Sequence, residues 1–449
     1  MRSALLSLRD AVADILQPLR RLPAWVGLAA GIAGALIIAL LLIDPSGDED
    51  APAPPPAAAP QPSAGTPEQK ETSESLGYPA FATKATTRIA GSDPATVAAG
   101  TALAVFPGIE QRPEAVALVP DGNWQAGVAA AVLMAPPVRA PILISGPGDV
   151  PDETSQALSV LQPVGGDPSE RKQAFAIAGA PVPDGLRSAA VPAGDAATVA
   201  AGIDKLRGRL AEDPVPEHLL IVSEEDPAYA MPAAAWAARS GDPVFFTRRT
   251  TVPPATLAAL KEHRGVPAYV LGPETAVTAP AFKRLRKAAP RLQRVAGPDP
   301  VASAIALARF QDGTFGWNIN DPGHGLVIAN ASRPMDAGAA APLSAAGKYG
   351  PLLLTDSATR LPPVLRSYLL DIKPGFEEDP TRAFYNHAWL IGDAEAIGIG
   401  VQGQIDALLE LTAVGDARAP TQSAVPPPPK PASPRPGPRK PGGPAKPKQ

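Results

Sequence analysis

One glycine-centred segment occurs three times at a single spacing, and that repeat constrains the fold more than any individual motif. Arg88-Ile-Ala-Gly-Ser-Asp93, Val191-Pro-Ala-Gly-Asp195 and Arg294-Val-Ala-Gly-Pro-Asp299 place Gly91, Gly194 and Gly297 103 residues apart both times. An apolar helix pattern follows each, and then the same alternation of short strands and helices. Three related α/β units in one chain point to a binding array sooner than to a single catalytic centre.

The pattern predicts strands at 115–119, 140–144 and 173–178 in the first unit, at 218–222, 243–247 and 268–271 in the second, and at 326–329, 350–355 and 388–391 in the third. They are short and mostly apolar throughout, and helices of ten to fourteen residues separate most of them. That is the signature of parallel strands buried on both faces and joined by right-handed crossovers. The expected fold is α/β, with three tandem Rossmann-like repeats built on small parallel sheets. Repeat 1 is expected over 78–185, repeat 2 over 186–290 and repeat 3 over 291–415. Pro141, Pro243 and Pro351 head the second strand of each unit, where a missing N–H is tolerated.

The 58 prolines of the 449 residues are unevenly spread. Dense Pro/Ala and Pro/Lys tracts at 51–62 and 420–447 bury too little apolar surface to offset ordering entropy, so both read as disordered. Residues 44–77 form a Pro/Ala-rich linker and 416–449 a Pro/Lys-rich tail. The chain has no cysteine, which excludes disulfides and thiolate metal sites. Net charge is −4 overall, but residues 417–449 carry +7 with no acid, and residues 76–416 carry −7. An acidic body argues against nucleic acid as its partner. The basic tail could meet a polyanion or simply be solvated.

Ala24 to Ile43 is an unbroken apolar run, about 30 Å long as a helix and matched to a bilayer core. Arg20 and Arg21 precede it and Asp44 follows, which puts the N-terminus in the cytoplasm and the body outside. A cleaved signal peptide would have a shorter apolar stretch and a small-residue cleavage site. The expectation is a single-pass anchor at 24–43 behind a cytoplasmic amphipathic segment at 1–23, in which Leu5, Leu8, Val12, Ile15, Leu16 and Leu19 share a stripe.

At its repeated segments the chain resembles the cell wall-binding repeat 2 family, whose pattern opens Arg-Ile-x-Gly-x-Asp-Arg-x-x-Thr-Ala. Arg88, Gly91, Asp93 and Thr96 fit that opening, as do Arg294, Gly297 and Asp299. Ala140-Pro-Ile-Leu-Ile144 and Gly350-Pro-Leu-Leu-Leu-Thr355 fit its second strand, and Asn330-Ala-Ser-Arg-Pro-Met-Asp336-Ala337 fits its Pro-Asp-Ala loop. The resemblance spans about 86–413. It implies a Rossmann-like fold in three copies, commonly packed as a pseudo-trimer, and non-covalent attachment to an anionic cell-wall polymer or peptidoglycan. The chain departs from the pattern at several points. Pro94, Ala196 and Pro300 stand where the family has its second arginine. Gly127 and Ala230 replace the loop aspartate in the first two units, and Ala180, Pro273 and Asp393 replace the second glycine of the terminal pair.

Ligands of open α/β sheets collect beyond the carboxyl ends of the strands. Those positions hold Asp121, Asn123, Glu224, Asp226, Asn330 and Ser332, with Asp336 just beyond, and these are the candidate polymer-binding residues. Each cluster also precedes a helix, where Asp, Asn and Ser act as N-caps, so capping is the competing reading. Glu224, Glu225 and Asp226 are the carboxylates an envelope-glycan hydrolase would use. A binding module for another membrane protein is a third reading. No catalytic residue is assigned. His218, His263, His324 and His387 form no metal-ligand spacing. No Gly-x-Ser-x-Gly elbow or Walker loop is present, and Gly398-Ile-Gly400-Val-Gln-Gly403 lies inside the closing segment, not after a strand, so no cofactor is implied.

Overall fold

The computed structural model describes residues 82–211, 215–345 and 350–414. The expected cytoplasmic segment, the anchor at 24–43, the linker and the tail lie outside these residues. Among the described residues no helix is long and apolar enough to cross a membrane.

Along the chain, β1 (Thr86–Ile89) leads into α1 (Pro94–Val105), β2 (Val116–Pro120), α2 (Trp124–Ala130), β3 (Ile142–Ser145), α3 (Asp152–Leu161) and β4 (Ala174–Ile177). The second pass runs β5 (Ser188–Val191), α4 (Ala196–Leu210), β6 (Leu219–Ser223), α5 (Pro227–Ser240), β7 (Val244–Thr247), α6 (Pro254–Glu262), β8 (Ala268–Leu271) and α7 (Ala279–Ala288). The third runs β9 (Leu292–Val295), α8 (Pro300–Arg309), β10 (Gly325–Asn330), α9 (Met335–Ala345), β11 (Leu352–Thr355) and α10 (Pro363–Asp371). It closes with β12 (Gly375–Phe376), β13 (His387–Ile391), α11 (Ile399–Leu409) and β14 (Thr412–Ala413).

Three four-stranded parallel sheets result, ordered β3-β2-β4-β5, β7-β6-β8-β9 and β11-β10-β13-β1. The central strands are apolar on both faces because helices cover both. The carbonyls of Pro141, Pro243 and Pro351 accept from Ala117, Leu220 and Val327 at 2.9–3.0 Å, one bond in each sheet. The three sheets thus share one strand order.

The fourth strand of each sheet was not legible in the pattern. It is the segment just ahead of the repeated glycine, and it pairs out of phase with the sequence repeat. β5 joins the first sheet, β9 joins the second, and β1 joins the third, where Thr86–Ile89 pairs in parallel with Ala388–Ile391. The helix after each of these strands then packs on the following sheet. α1 covers β3 and α3, α4 covers β7 and α6, and α8 covers β11 and α10. The sheets are therefore linked in a closed cycle, in which every opening segment has its strand in one sheet and its helix on the next.

The turn between that strand and helix explains the repeated glycine. A Cβ at Gly91 would lie 2.8 Å from Val97 Cγ2, and one at Gly297 would lie 2.5 Å from the Ala302 carbonyl carbon. The chain folds tightly back over the helix's first turn, and only glycine leaves room. Asp93, Asp195 and Asp299 then cap α1, α4 and α8, accepting from the backbone N–H of Thr96, Thr198 and Ala302 at 2.8–2.9 Å. Pro94 and Pro300 occupy the first helical position, where proline needs no N–H partner.

The equivalent helices α2, α5 and α9 meet one another. All three are rich in Ala and Gly, and a Cβ on Gly338 would sit 2.8 Å from the Gly127 backbone. This backbone contact is why Gly338 cannot be enlarged without pushing α2 and α9 apart.

Arg88 holds the closing strand in place. It is 3% exposed, and its guanidinium donates to the carbonyls of Gly392, Asp393 and Ile397 and to Gln402 Oε1. Burial pulls its pKa down to about 10, opposed by nearby Asp393, so it stays charged at neutral pH. Arg294 repeats the arrangement more openly, donating to the carbonyls of Gly272 and Val277. Removing a buried donor set leaves its acceptors unsatisfied. Arg88→Ala is expected to lower unfolding free energy by ~3 kcal/mol and Arg294→Ala by ~1–2 kcal/mol. Urea unfolding of the two variants checks the order, and equal losses would contradict the closing role given to Arg88.

Candidate polymer-binding loops

The loops after β2, β6 and β10 lie at the carboxyl ends of the sheets, where each sheet's first strand is flanked by the second and third. This is the topological switch point of an open α/β sheet.

After β2, Asp121 is exposed and its Oδ1 accepts from the Gly122 N–H at 2.8 Å. Asn123 caps α2, accepting from Ala126 N–H at 3.0 Å. Gln125 Nε2 donates to the Glu224 carbonyl at 3.3 Å, and Trp124 meets Phe246 edge-on at 5.9 Å. The first two loops therefore adjoin.

After β6, each carboxylate faces an arginine from the end of β7. Arg248 Nε donates to Glu224 Oε1 at 2.8 Å, and the Arg249 backbone N–H donates to Glu225 Oε2 at 2.9 Å. Arg249 Nη2 donates to Asp226 Oδ1 at 2.9 Å, while Ser223 Oγ donates to its other oxygen at 3.0 Å. Asp195, the cap of α4, is held below the usual carboxylate range by its bonds to Thr198, with Arg248 adding to the effect. This is a rim of alternating charge.

After β10, Asn330 is buried. Its Nδ2 donates to the Ala396 carbonyl at 2.8 Å, and its Oδ1 accepts from both the backbone and the hydroxyl of Ser332. Asp336 has no exposed surface and accepts from Arg333 Nε at 2.6 Å. Burial pushes the Asp336 carboxyl up, and Arg333 works against that shift. Arg333 also donates to the Ser92 and Gly91 carbonyls, at 2.9 and 3.3 Å. The aspartate read from the sequence as a ligand carboxylate thus faces inward, and the group it sets at the rim is the half-buried Arg333 guanidinium. It is neither an N-cap nor an open acceptor.

The family-motif residues Arg88, Gly91, Asp93, Thr96, Arg294, Gly297 and Asp299 all have structural partners. Thr96 adds a hydroxyl bond to Asp93 at 2.6 Å. Sequence reasoning missed Arg248, Arg249 and Arg333. The signal was present as two arginines directly after a predicted strand, but carboxylates drew the attention.

Among the described residues no group of three or more His, Asp or Glu side chains could hold a metal ion. His218 donates to Asp242 at 3.2 Å, His263 to Asp204 at 2.9 Å and His324 to Asp321 at 3.1 Å, while His387 pairs with the Thr87 hydroxyl at 3.0 Å. The His263 pKa is raised, chiefly by its bond to Asp204. A base with a raised folded pKa stabilises fully below its unfolded value and loses that contribution as pH rises through the folded one. The stability difference between the native chain and His263→Gln should therefore be larger at pH 5.5 than at pH 9 by thermal unfolding. A difference independent of pH would exclude the charged pair.

Residues 294–402 match the family Cell wall binding domain 2 (CWB2). Among solved structures, the chain resembles Cwp8 from Clostridium difficile at 19% identity and a TM-score of 0.57, covering 73% of this chain and 52% of that one. It resembles Cwp6 from Clostridium difficile at 18% identity and a TM-score of 0.59, covering 73% of this chain and 48% of that one. The chain spans about half the length of those proteins, and at this identity the likeness is one of fold. No curated protein matches the chain. The stretch that is similar to cell wall binding domain 2 (CWB2) thus runs from the opening arginine of the third repeat to Gln402, the partner of Arg88.

Proposed function

We propose that this is an envelope protein whose body attaches non-covalently to an anionic polymer of the cell wall, while the segment 24–43 holds it in the membrane with the body outside. The observation that carries the reading is the CWB2 match over 294–402, set in a body whose three sheets are equivalent. In this reading the polymer meets the rims at the strand ends. Arg248, Arg249 and Arg333 receive its anionic groups, and the exposed Asp121, Glu225 and Ser332 accept or donate to its hydroxyls.

The third unit contributes most, through Arg333 and the Asp336 that positions it. Asp336→Ala in the full chain should weaken sedimentation with purified cell walls more than Asp121→Ala or Glu224→Ala. Because Asp336 is buried, Leu285→Ala on α7 serves as a destabilised control outside the rim loops, and the melting temperature is followed for all four. Equal sedimentation of the three loop variants, or a loss matched by Leu285→Ala, would remove the third unit from the site. Failure of the native chain to sediment with walls would overturn the polymer reading.

The apolar run at 24–43, with Arg20 and Arg21 before it and Asp44 after it, supports the anchor and its orientation. Protease added to wall-stripped intact cells should digest the body and leave a small N-terminal fragment. Protection of the body would reverse the topology.

A further inference from the structure

The two most exposed aromatic side chains among the described residues are neighbours, Phe384 at 71% and Tyr385 at 58%. They lie on the loop between β12 and β13. The Phe384 ring rests over Gly323, and the Tyr385 hydroxyl donates to the Pro380 carbonyl at 2.7 Å, which fixes the pair at the surface. The same loop carries Glu377, Glu378 and Asp379, all exposed, with Arg382 offsetting one charge. Among the described residues neither Glu377 nor Glu378 has an ion-pair partner. A soluble body gains nothing by leaving two aromatics uncovered beside unpaired acids, so the patch has the form of a docking face for a segment that is apolar and cationic together.

The chain supplies such a segment at that spot. β14 pairs with β12, and the Val414 N–H donates at 2.8 Å to the carbonyl of Phe376, the residue before Glu377. The last described residue thus leaves the body beside the acidic loop. Beyond it, residues 417–449 carry +7 with no acid, and Pro426–Pro429, Pro431, Pro434, Pro436 and Pro438 are interleaved with Lys430, Arg435 and Arg439. Prolines pack on aromatic faces with little ordering entropy to lose, and neighbouring acids pair with the interleaved cations. A tether of roughly a dozen residues from Val414 to Pro426 gives a millimolar effective concentration.

We propose that the Pro/Lys-rich segment 417–449 folds back onto this loop of its own chain, its prolines on Phe384 and Tyr385 and its cations against Glu377, Glu378 and Asp379. The face would thereby withhold the tail's charge until a polyanion of the envelope competes for it.

Tryptic cleavage of the Arg439–Lys440 bond tests this in the full chain held in neutral-lipid nanodiscs. The bond should be cut roughly fivefold or more slowly than in a synthetic 417–449 peptide, as tethered docking implies. Phe384→Ala with Tyr385→Ala, both exposed and so harmless to the core, should restore the peptide's rate. Glu377→Gln with Glu378→Gln should do the same, and so should 0.5 M salt, which screens surface charge. Equal cutting of native chain, variants and peptide would overturn the proposal. So would protection that disappears on dilution, which assigns the tail to a second copy, or protection that requires anionic lipid and survives the aromatic substitutions, which assigns it to the membrane.

Discussion

The parallel pairing of β1 with β13 joins residues about 300 positions apart, and the closed arrangement of the sheets depends on it. The entropic cost of bringing such distant segments together grows only with the logarithm of the separation, so a four-residue strand can close the cycle if it is held firmly. Arg88 does the holding. Its fork reaches carbonyls on both sides of the turn after β13 and Gln402 on α11, and Gln402 in turn donates to Thr86 on the same strand. Thr83 and the Ala85 N–H are fastened to Asp406 one turn further along that helix. The entry of the chain into its body is thereby tied to the element that precedes its exit.

Because each opening segment has its strand in one sheet and its helix on the next, no unit can unfold without uncovering a neighbour. The central helices reinforce the coupling. Between α2 and α9 the contact runs through Gly127 and Gly338, so these two helices approach at backbone distance. The rims inherit this rigidity. Arg333 reaches from the loop after β10 to the carbonyls after β1, so the third rim exists only when the cycle is closed.

Much of this order was legible in the sequence, for physical reasons that apply unevenly. α4 was read at its observed bounds because Asp195 caps it and its apolar stripe is regular. The central strands were read within a residue or two because burial on both faces leaves them nearly wholly apolar. The fourth strands escaped because they sit at sheet edges: Leu292–Val295 carries Gln293 and Arg294 between buried ends, and Ser188–Val191 is mostly unburied. α7 escaped because only Ala281, Leu285 and Ala288 of its ten residues are buried, leaving a charged surface with a thin apolar seam. At the rims, the loops at the strand ends were legible but the pairing of their charges was not. Asp336 pairs with Arg333 only three positions away, but that Arg333 spans to Gly91 is a fact about residues 242 positions apart, which no local pattern contains.

The first unit shows how the recurring parts depend on one another. In the second and third units the arginine of the fourth strand or its counterpart grips the turn ahead of a helix, Arg294 for α7 and Arg88 for α11. The turns share a pattern, Gly272-Pro-Glu-Thr-Ala276-Val277 and Gly392-Asp-Ala-Glu-Ala396-Ile397, whose last carbonyl accepts from the guanidinium. In the first unit the corresponding strand position is the exposed Ala190, and the residues between β4 and β5 form no helix. Arginine and helix are absent together, as physics requires. Without the helix a buried guanidinium would have no carbonyls to satisfy it, and without the guanidinium the turn's inward carbonyls would be left unpaired. A strand that the alignment of motifs alone would call degenerate is therefore matched to its surroundings. The opening motif marks a joint between turn, strand and helix.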